Sequence, residues 1–196
     1  MTVILLAAGL SSRMGTNKLL LPLGKEPLLL RSLRAALSFS GSVIVVTGHE
    51  RERIEALLAP FPVQTVYAED YAKGQGFSMR RGLRAAPDAD FAIVPGDLPL
   101  LTLEDYLRTS QALSSSSIAR PCHGGEPGHP VMFRKEHRER LLAFPGRFKA
   151  YVDSSSPCLV EGSIGTVLDA DTPERYERLV SLCDDLPLFN REPQGL

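Results

Sequence analysis

Short apolar segments alternate with segments of helical periodicity along the first half of the chain. Four apolar runs rich in β-branched residues predict buried strands at residues 3–6, 43–46, 63–67 and 91–94. Three further segments repeat apolar residues at helical spacing: Leu29, Leu33, Ala36 and Leu37; Ile54, Leu57 and Leu58; and Met79, Leu83 and Ala86. Strands that are apolar throughout are typical of a sheet covered on both faces. The pattern therefore predicts an α/β fold with a mostly parallel sheet and helices on both faces.

The second half of the chain begins with a predicted helix start. Thr102 and Asp105 have the spacing of a capping box, which predicts a helix to about Leu113, followed by a serine turn at residues 114–117. Residues 118–133 are short extended pieces separated by Pro and Gly and predict a hairpin-like excursion, and a helix follows through residues 141–142. We expect a last strand at residues 166–168 and a closing helix whose apolar stripe consists of Tyr176, Leu179, Val180 and Cys183.

The size and charge of the chain limit the classes of protein to which it could belong. The chain has 196 residues, of which 43% are hydrophobic, so we expect one domain over residues 1–186. A loosely ordered tail is expected at residues 187–196, where Pro187, Pro193 and Gly195 break regular structure. The formal net charge of −1 creates no field that would hold nucleic acid or an anionic membrane, so neither is an expected partner.

Cysteine use and the first apolar run favour a cytoplasmic protein. Cys122, Cys158 and Cys183 are odd in number and far apart, which fits neither a disulfide framework nor a zinc site. The apolar run at residues 3–10 has no cationic flank before it and is far shorter than the roughly 20 residues of a membrane span. We interpret this run as a buried strand rather than as a signal.

A glycine-bearing loop follows the first predicted strand, at the sheet edge where open α/β sheets bind ligands. Small residues at positions 7–9 let the backbone approach a ring or a phosphate closely, and Ser11 and Ser12 offer hydroxyl and amide groups. The guanidinium of Arg13 and the ammonium of Lys18 together suit a polyphosphate. The loop matches neither GxxxxGK[ST] nor GxGxxG, and a plain glycine turn with two solvated cations is the alternative.

A single carboxylate follows the fourth predicted strand, within Gly96-Asp97-Leu98-Pro99. Parallel strands place it at the same sheet edge as the glycine loop. Magnesium is held by one or two carboxylates together with substrate phosphates, so Asp97 is a candidate Mg²⁺ ligand. Taken alone, an aspartate in a Gly-Asp-x-Pro turn is more often a turn former than a metal ligand.

Three further segments have a structural and a functional interpretation each. Gly74, Gln75 and Ser78 open a helix and could bind a ribose or a base edge through Ser78 and the first helical amides, although a glycine-rich helix entry is sufficient to explain them. His129 precedes a proline in a turn, where histidine is often structural. Asp171 or Thr172 would cap the closing helix. We expect the other histidines at the surface: His49, His123 and His137.

A known family shares these segments in the same order. Residues 6–18, LAAGLSSRMGTNK, closely resemble the LAAGxSxRMGxxK loop of the nucleotidyltransferases that activate molybdopterin. The GDLP, GxxxS, GHPVxF and DxDTPE segments of that family resemble residues beginning at Gly96, Gly74, Gly128 and Asp169. The resemblance extends from Leu6 to the closing helix and implies a three-layer Rossmann-like nucleotidyltransferase fold.

The resemblance also assigns roles to individual residues. Arg13 and Lys18 would contact the triphosphate, Asp97 would bind Mg²⁺ with Asp171 or, as the reserve, Asp169, and His129 would contact the acceptor. The nucleotide would be bound by Leu6, Ala7, Ala8, Gly9, Ser11, Arg13, Lys18, Gly74, Gln75, Ser78 and Gly96.

The expected reaction transfers CMP from CTP to the terminal phosphate of molybdenum-bound molybdopterin and releases pyrophosphate. CTP is preferred over GTP because the guanylyl branch of the family has Leu-Ala-Gly-Gly where this chain has Leu6-Ala-Ala-Gly. The alternatives are a GTP-dependent guanylyltransferase, a transferase for another phosphorylated acceptor, or a non-catalytic carrier of the finished cofactor. A molybdoenzyme or its chaperone is a further expected partner. A flavodoxin-like or dehydrogenase domain is disfavoured because its fingerprint is missing.

Overall fold

A computed structural model describes residues 1–184, and of Asp184 it describes the backbone alone. The strands are β1 (Thr2–Ala7), β2 (Pro22–Leu23), β3 (Glu26–Pro27), β4 (Val43–Thr47), β5 (Gln64–Tyr67), β6 (Phe91–Pro95), β7 (Ile118–His123), β8 (Glu126–Pro127), β9 (Val131–Phe133) and β10 (Cys158–Glu161). The α-helices are α1 (Leu28–Phe39), α2 (Arg51–Leu58), α3 (Gln75–Ala85), α4 (Leu103–Ala112), α5 (His137–Ala143), α6 (Phe148–Ser154) and α7 (Pro173–Asp184). Short 3-10 turns lie at Lys18–Leu20, Tyr71–Lys73 and Ile164–Thr166.

The main sheet has the strand order β10-β7-β9-β6-β1-β4-β5, with β8 paired to β7. Its strands run parallel except around β9, which is antiparallel to both β6 and β7, and β8, which is antiparallel to β7. β1 is central, and its Leu5 lies opposite Val45 of β4 and Val94 of β6. The chain passes from β1 to β4 and β5 on one side and then returns to β6 on the other side of β1. The strand order therefore reverses between β1 and β6, and the carboxyl ends of these two strands border the edge where open α/β sheets bind ligands.

Alternate residues of β1 enter different cores on the two sides of the sheet. Val3 and Leu5 join a cluster formed with α1, α2, α4 and α7, whereas Ile4 and Leu6 join a cluster formed with α3, α5 and α6. A strand buried on both faces needs apolar residues at every position, because successive side chains point to opposite faces. The predicted α/β fold with a mostly parallel sheet and helices on both faces is confirmed.

Most predicted elements are found, and the capping box is present at the start of α4: the Thr102 hydroxyl accepts from the Asp105 amide, and the Asp105 carboxylate accepts from the Thr102 amide. The serine turn and the hairpin of β7 and β8 are also found. The predicted tail at residues 187–196 lies outside the described residues, so it stays a prediction.

Two predictions are wrong. The strand expected at residues 166–168 is replaced by the 3-10 turn at Ile164–Thr166, and the last strand is β10, which the sequence pattern missed together with α6. Backbone packing explains the turn: a Cβ at Gly165 would lie only 2.1 Å from the Leu100 carbonyl oxygen, so this segment packs on a loop instead of pairing with a strand. His137, expected at the surface, is buried, and its ring nitrogens bond the Tyr151 and Ser117 hydroxyls.

Among the described residues, no helix has both the length and the apolar character needed to cross a membrane.

Candidate active site

A cavity of about 520 Å³ opens at the carboxyl ends of β1 and β6. Five parts of the chain border it: the glycine loop after β1, the segment that leads into α3, the end of β6, the segment from β8 to β9, and the segment before α7. The lining residues are Leu6, Ala8, Gly9, Leu10, Ser11, Lys18, Leu19, Tyr71, Ala72, Gly74, Gln75, Ser78, Pro95, Asp97, Leu98, Glu126, Pro127, Gly128, His129, Thr166, Val167, Asp169 and Asp171.

The glycine loop is folded so that its two ends meet. Ser11 has a positive φ of 51°, and its carbonyl accepts from the Met14 amide at 2.9 Å. The Ser11 hydroxyl accepts from the Lys18 amide at 3.2 Å. Gly15 also has a positive φ, 68°, a conformation that glycine adopts without steric cost. These bonds return the chain to the cavity at Lys18, where Asn17 caps the 3-10 turn.

A network of opposite charges lies in the cavity. The Lys18 ammonium contacts carboxylate oxygens of both Asp97 and Asp171, and the Arg13 guanidinium lies 3.1 Å from the second oxygen of Asp171. The side chains of Lys18 and Asp97 are only 13% and 11% exposed, whereas Arg13 is 69% exposed at the rim. Of the three residues named from the sequence as catalytic, Lys18 and Asp97 are thus paired directly, and Arg13 is connected to Lys18 through Asp171.

Asp169 completes a cluster of three carboxylates. Asp97, Asp169 and Asp171 each offer an oxygen, and these oxygens lie within 4.8 Å of one another. Asp169 accepts from the Asp171 amide at 3.0 Å and lies 3.3 Å from the Arg175 guanidinium. The sequence predicted Asp171 as the second Mg²⁺ ligand and Asp169 as the alternative to it. The structure brings both carboxylates close to Asp97.

The environment shifts the protonation equilibria of this cluster. Burial, followed by the charges of Asp97 and Asp171, raises the pKa of Asp169 above its usual value. Burial acts in the same direction on Asp171, but Lys18, with smaller contributions from Arg13 and Arg175, outweighs it, so the pKa of Asp171 is lowered. Burial lowers the pKa of Lys18, but Asp97 and Asp171 raise it more, so the net shift is upward. The ammonium therefore balances negative charge that would otherwise be buried and unpaired.

The donor set fits a hard divalent cation. Mg²⁺ takes oxygen ligands and is commonly held by carboxylates together with substrate phosphates and water. Asp97, Asp169 and Asp171 supply only such oxygens. The pKa of Asp169 is raised first by burial and then by the charges of Asp97 and Asp171, and a bound cation would offset those charges.

The segment leading into α3 forms a second side of the cavity. Gly74 adopts φ 121° and ψ 164° before α3 begins at Gln75, and Ser78 is buried on the first turn while lining the cavity. Tyr71 and Ala72 also line it, although sequence reasoning did not single them out. Their position immediately before the glycine segment is the signal that could have identified them.

Packing fixes Tyr71 against the end of β4. A Cβ at Gly48 would lie 2.7 Å from both the Tyr71 Cγ and the Ala8 Cβ, so only glycine leaves room for these two contacts. Packing against Gly48 therefore fixes the positions of Ala8 and Tyr71 at the cavity wall.

His129 lies on the side of the cavity formed after β8. Its amide donates to the Thr166 carbonyl at 2.9 Å, and its Nδ1 lies 3.4 Å from the Ile93 carbonyl oxygen. Burial and, to a smaller extent, the positive charge of Arg120 lower the pKa of His129 to about 4, so its imidazole is neutral at physiological pH. Glu126 and Pro127 line the same side and were not identified from the sequence.

Three of the residues expected to bind the nucleotide do not line the cavity. The Ala7 side chain is buried in the core, and Arg13 reaches the cluster only through Asp171. Gly96 supports the wall from behind, since its amide donates to the Leu6 carbonyl at 2.9 Å and a Cβ there would lie 3.0 Å from Leu29. The structure thus brings the other predicted residues together at one edge.

The fold and the site together define an α/β protein with a glycine-bearing loop, a buried cation and a carboxylate cluster at one sheet edge. Residues 3–156 match the family described as the MobA-like NTP transferase domain. The chain belongs to this family of nucleotidyltransferases.

Two relatives agree with this membership, and a solved structure agrees with the fold. The molybdenum cofactor cytidylyltransferase of Escherichia coli strain K12 is 30% identical over an alignment of 182 positions that covers 88% of this chain and 92% of the relative. The purine catabolism protein PucB of Bacillus subtilis strain 168 is 34% identical, covering 89% and 93% of the two chains. The crystal structure of the Mycobacterium sp. strain JC1 homologue of Mycobacterium tuberculosis Rv0371c shares the fold, with a TM-score of 0.84, 24% identity and coverage of 95% and 98%.

Proposed function

We propose that this nucleotidyltransferase moves CMP from CTP to the terminal phosphate of molybdenum-bound molybdopterin and releases pyrophosphate. The similarity to the Escherichia coli cytidylyltransferase over most of both chains supports this choice of nucleotide and acceptor. The reaction would take place in the cytoplasm, and a molybdoenzyme or its chaperone would receive the product.

One observation carries the proposal. A cation from the first loop, Lys18, and an acid from the end of β6, Asp97, meet in a cavity that also contains the start of α3. The cavity therefore combines small residues that allow a ring to approach, a cation for phosphates and carboxylates for a metal.

In the proposed reaction, an anionic oxygen of the acceptor phosphate attacks the α-phosphorus of CTP. A new oxygen–phosphorus bond forms, the bond from the α-phosphorus to the bridging oxygen breaks, and pyrophosphate leaves. The nucleophile is already ionised, so no strong general base is required. Catalysis then consists mainly of orientation and stabilisation of charge.

Lys18 and Arg13 would neutralise the triphosphate. Both pair with Asp171 in the structure, so phosphate oxygens would compete with this carboxylate for the two cations. Asp97, Asp169 and Asp171 would hold Mg²⁺, which when bound offsets negative charge on phosphate oxygens. Gly74, Gln75 and Ser78 would contact the ribose or the base, and His129, which lines the part of the cavity wall after β8, would contact the acceptor.

The preference for CTP would depend on Ala8. Ala8 lines the cavity, and its Cβ packs so close to Gly48 that only glycine fits at position 48. We expect Ala8→Gly to raise the ratio of GTP to CTP use by about tenfold, the usual scale for one small group in a pocket. Ala7→Gly is the matched control, because the Ala7 side chain faces the core rather than the cavity. An unchanged ratio in Ala8→Gly would contradict this account of base selection.

A nucleotide panel tests the proposed function. Pyrophosphate release is measured with CTP, GTP, ATP or UTP, with Mg²⁺ and with molybdenum-bound molybdopterin as acceptor. CTP should give the highest rate. A preference for GTP would instead assign a guanylyltransferase, and release only with a different phosphorylated acceptor would reassign the acceptor. Tight pterin binding by calorimetry with no binding of any nucleotide would indicate a carrier of the finished cofactor.

A further inference from the structure

We propose that Arg120 is a positioning residue that holds the acceptor wall, defined as residues 126–129 on the His129 side of the cavity. The acceptor part of this inference rests on the proposed function. Arg120 does not line the cavity and has no place in the reaction described above.

Arg120 is bound to the acceptor wall by two hydrogen bonds. It lies on β7, and its residue is only 8% exposed. Its Nε donates to the Gly128 carbonyl at 3.1 Å, and its Nη2 donates to the Pro127 carbonyl at 2.9 Å. One planar guanidinium thus satisfies two successive carbonyls, which a fork-shaped donor does with little loss of freedom.

The wall needs such a donor because its own strand pairing is short. β8 has two residues and pairs with β7 only at Cys122 with Pro127 and at His123 with Glu126. Pro127 has no amide to contribute to the ladder. The turn between β7 and β8 contains two glycines at positive φ, so it offers little stiffness of its own.

The remaining backbone bonds of the wall leave the two carbonyls to Arg120. The Gly128 amide donates to the Pro121 carbonyl at 2.7 Å, and the His129 amide donates to Thr166. In both bonds the wall supplies the N–H donor, so neither bond occupies a carbonyl of the wall. Gly128 is buried, so loss of the guanidinium would leave its carbonyl unsatisfied, whereas Pro127 is exposed and its carbonyl could bond water instead. Both side-chain bonds that tie the wall to β7 would be lost, which would let the wall move.

The charge of Arg120 is a separate effect from its shape. Within the described part of the chain, the ion pair found for it is with the half-exposed Asp153, whose oxygen lies 3.9 Å from Nη1. Lysine at position 120 would keep the positive charge but would lose the fork. A lysine variant therefore separates positioning of the wall from simple attraction of an anionic acceptor.

The experiment compares Arg120→Lys and Arg120→Gln with Arg134→Lys. Arg134 is the matched control because its guanidinium also donates from Nε and Nη2 to a carbonyl, that of Leu113, at 3.1 and 2.6 Å, and it does not line the cavity. For both Arg120 variants we expect kcat/KM for the acceptor to fall by about 10- to 100-fold, as for small misplacements of a binding surface. CTP affinity by calorimetry should stay within about twofold, and Arg134→Lys should change neither quantity by more than that.

A second measurement does not depend on the acceptor. Amide hydrogen exchange of Gly128 and His129 should become at least about tenfold faster in both Arg120 variants than in Arg134→Lys, because opening of the wall exposes these amides. If the unmodified protein releases no pyrophosphate with the pterin acceptor, the proposed function fails while the exchange experiment still tests Arg120.

Three results would overturn the inference: unchanged exchange of both amides, full acceptor kcat/KM in Arg120→Lys, or an equal loss of CTP affinity. Urea unfolding of each variant identifies any that does not fold. Arg120→Gln keeps one donor group and serves as the second variant if Arg120→Lys is unstable.

Discussion

Acidification should destabilise the protein through His129. Burial and the nearby Arg120 charge lower the pKa of this residue from 6.5 to about 4 in the folded protein. The unfolded chain therefore binds a proton more readily, so the contribution to stability is complete above about pH 6.5 and is lost as the pH falls toward 4. At pH 5 the two pKa values correspond to a factor of about 30 in the folding equilibrium, or about 2 kcal/mol.

The assay is urea unfolding of the unmodified protein and of His129→Asn at pH 7 and pH 5. Asparagine can place an amide near the Nδ1 position that faces the Ile93 carbonyl, but it does not titrate. The unmodified protein should lose about 2 kcal/mol more than the variant between the two pH values. Equal losses, or an imidazole NMR titration of His129 centred near pH 6.5, would refute the reasoning from burial.

Three further predictions concern single side chains. Asp97→Asn should lower CTP-dependent pyrophosphate release by at least about 100-fold, the scale of a lost charge-stabilising group, while the exposed-site control Asp88→Asn keeps full activity. Gly82→Ala should lower the free energy of unfolding by about 1 to 3 kcal/mol, since its Cβ would lie 2.6 Å from Ile4 and Val46, and Gly41→Ala, with open space, should not. Thr102→Ala should cost about 1 kcal/mol through loss of the α4 cap, and Thr102→Ser should restore most of it; urea unfolding measures both.

The layered fold could be predicted from local patterns because each pattern is compatible with one arrangement of low free energy. Continuous apolar strands such as β1 cannot leave either face exposed, and the stripes of α1 and α3 supply the covers on opposite sides. The prediction failed where long-range packing overrides propensity. Residues 166–168 have strand-like composition, but the contact of Gly165 with the Leu100 backbone imposes a turn there.

The membership in a nucleotidyltransferase family could also be anticipated, since the loop at residues 6–18 and the acid at Asp97 are local segments at predicted strand ends. Their convergence is a tertiary fact. Lys18 is 79 positions from Asp97 and 153 positions from Asp171, yet its ammonium contacts both carboxylates.

The sequence by itself determined the alternation of strands and helices and the positions of the strand ends in the first half of the chain, and the residue types available for phosphate and metal. Only the tertiary structure decided that Asp169 joins Asp97 and Asp171, that Ala7 and Gly96 lie outside the cavity lining, and that Arg120 supports the wall of His129. The physical reason is that periodicity records which face of an element is buried, whereas the distance between two side chains depends on how separate elements pack.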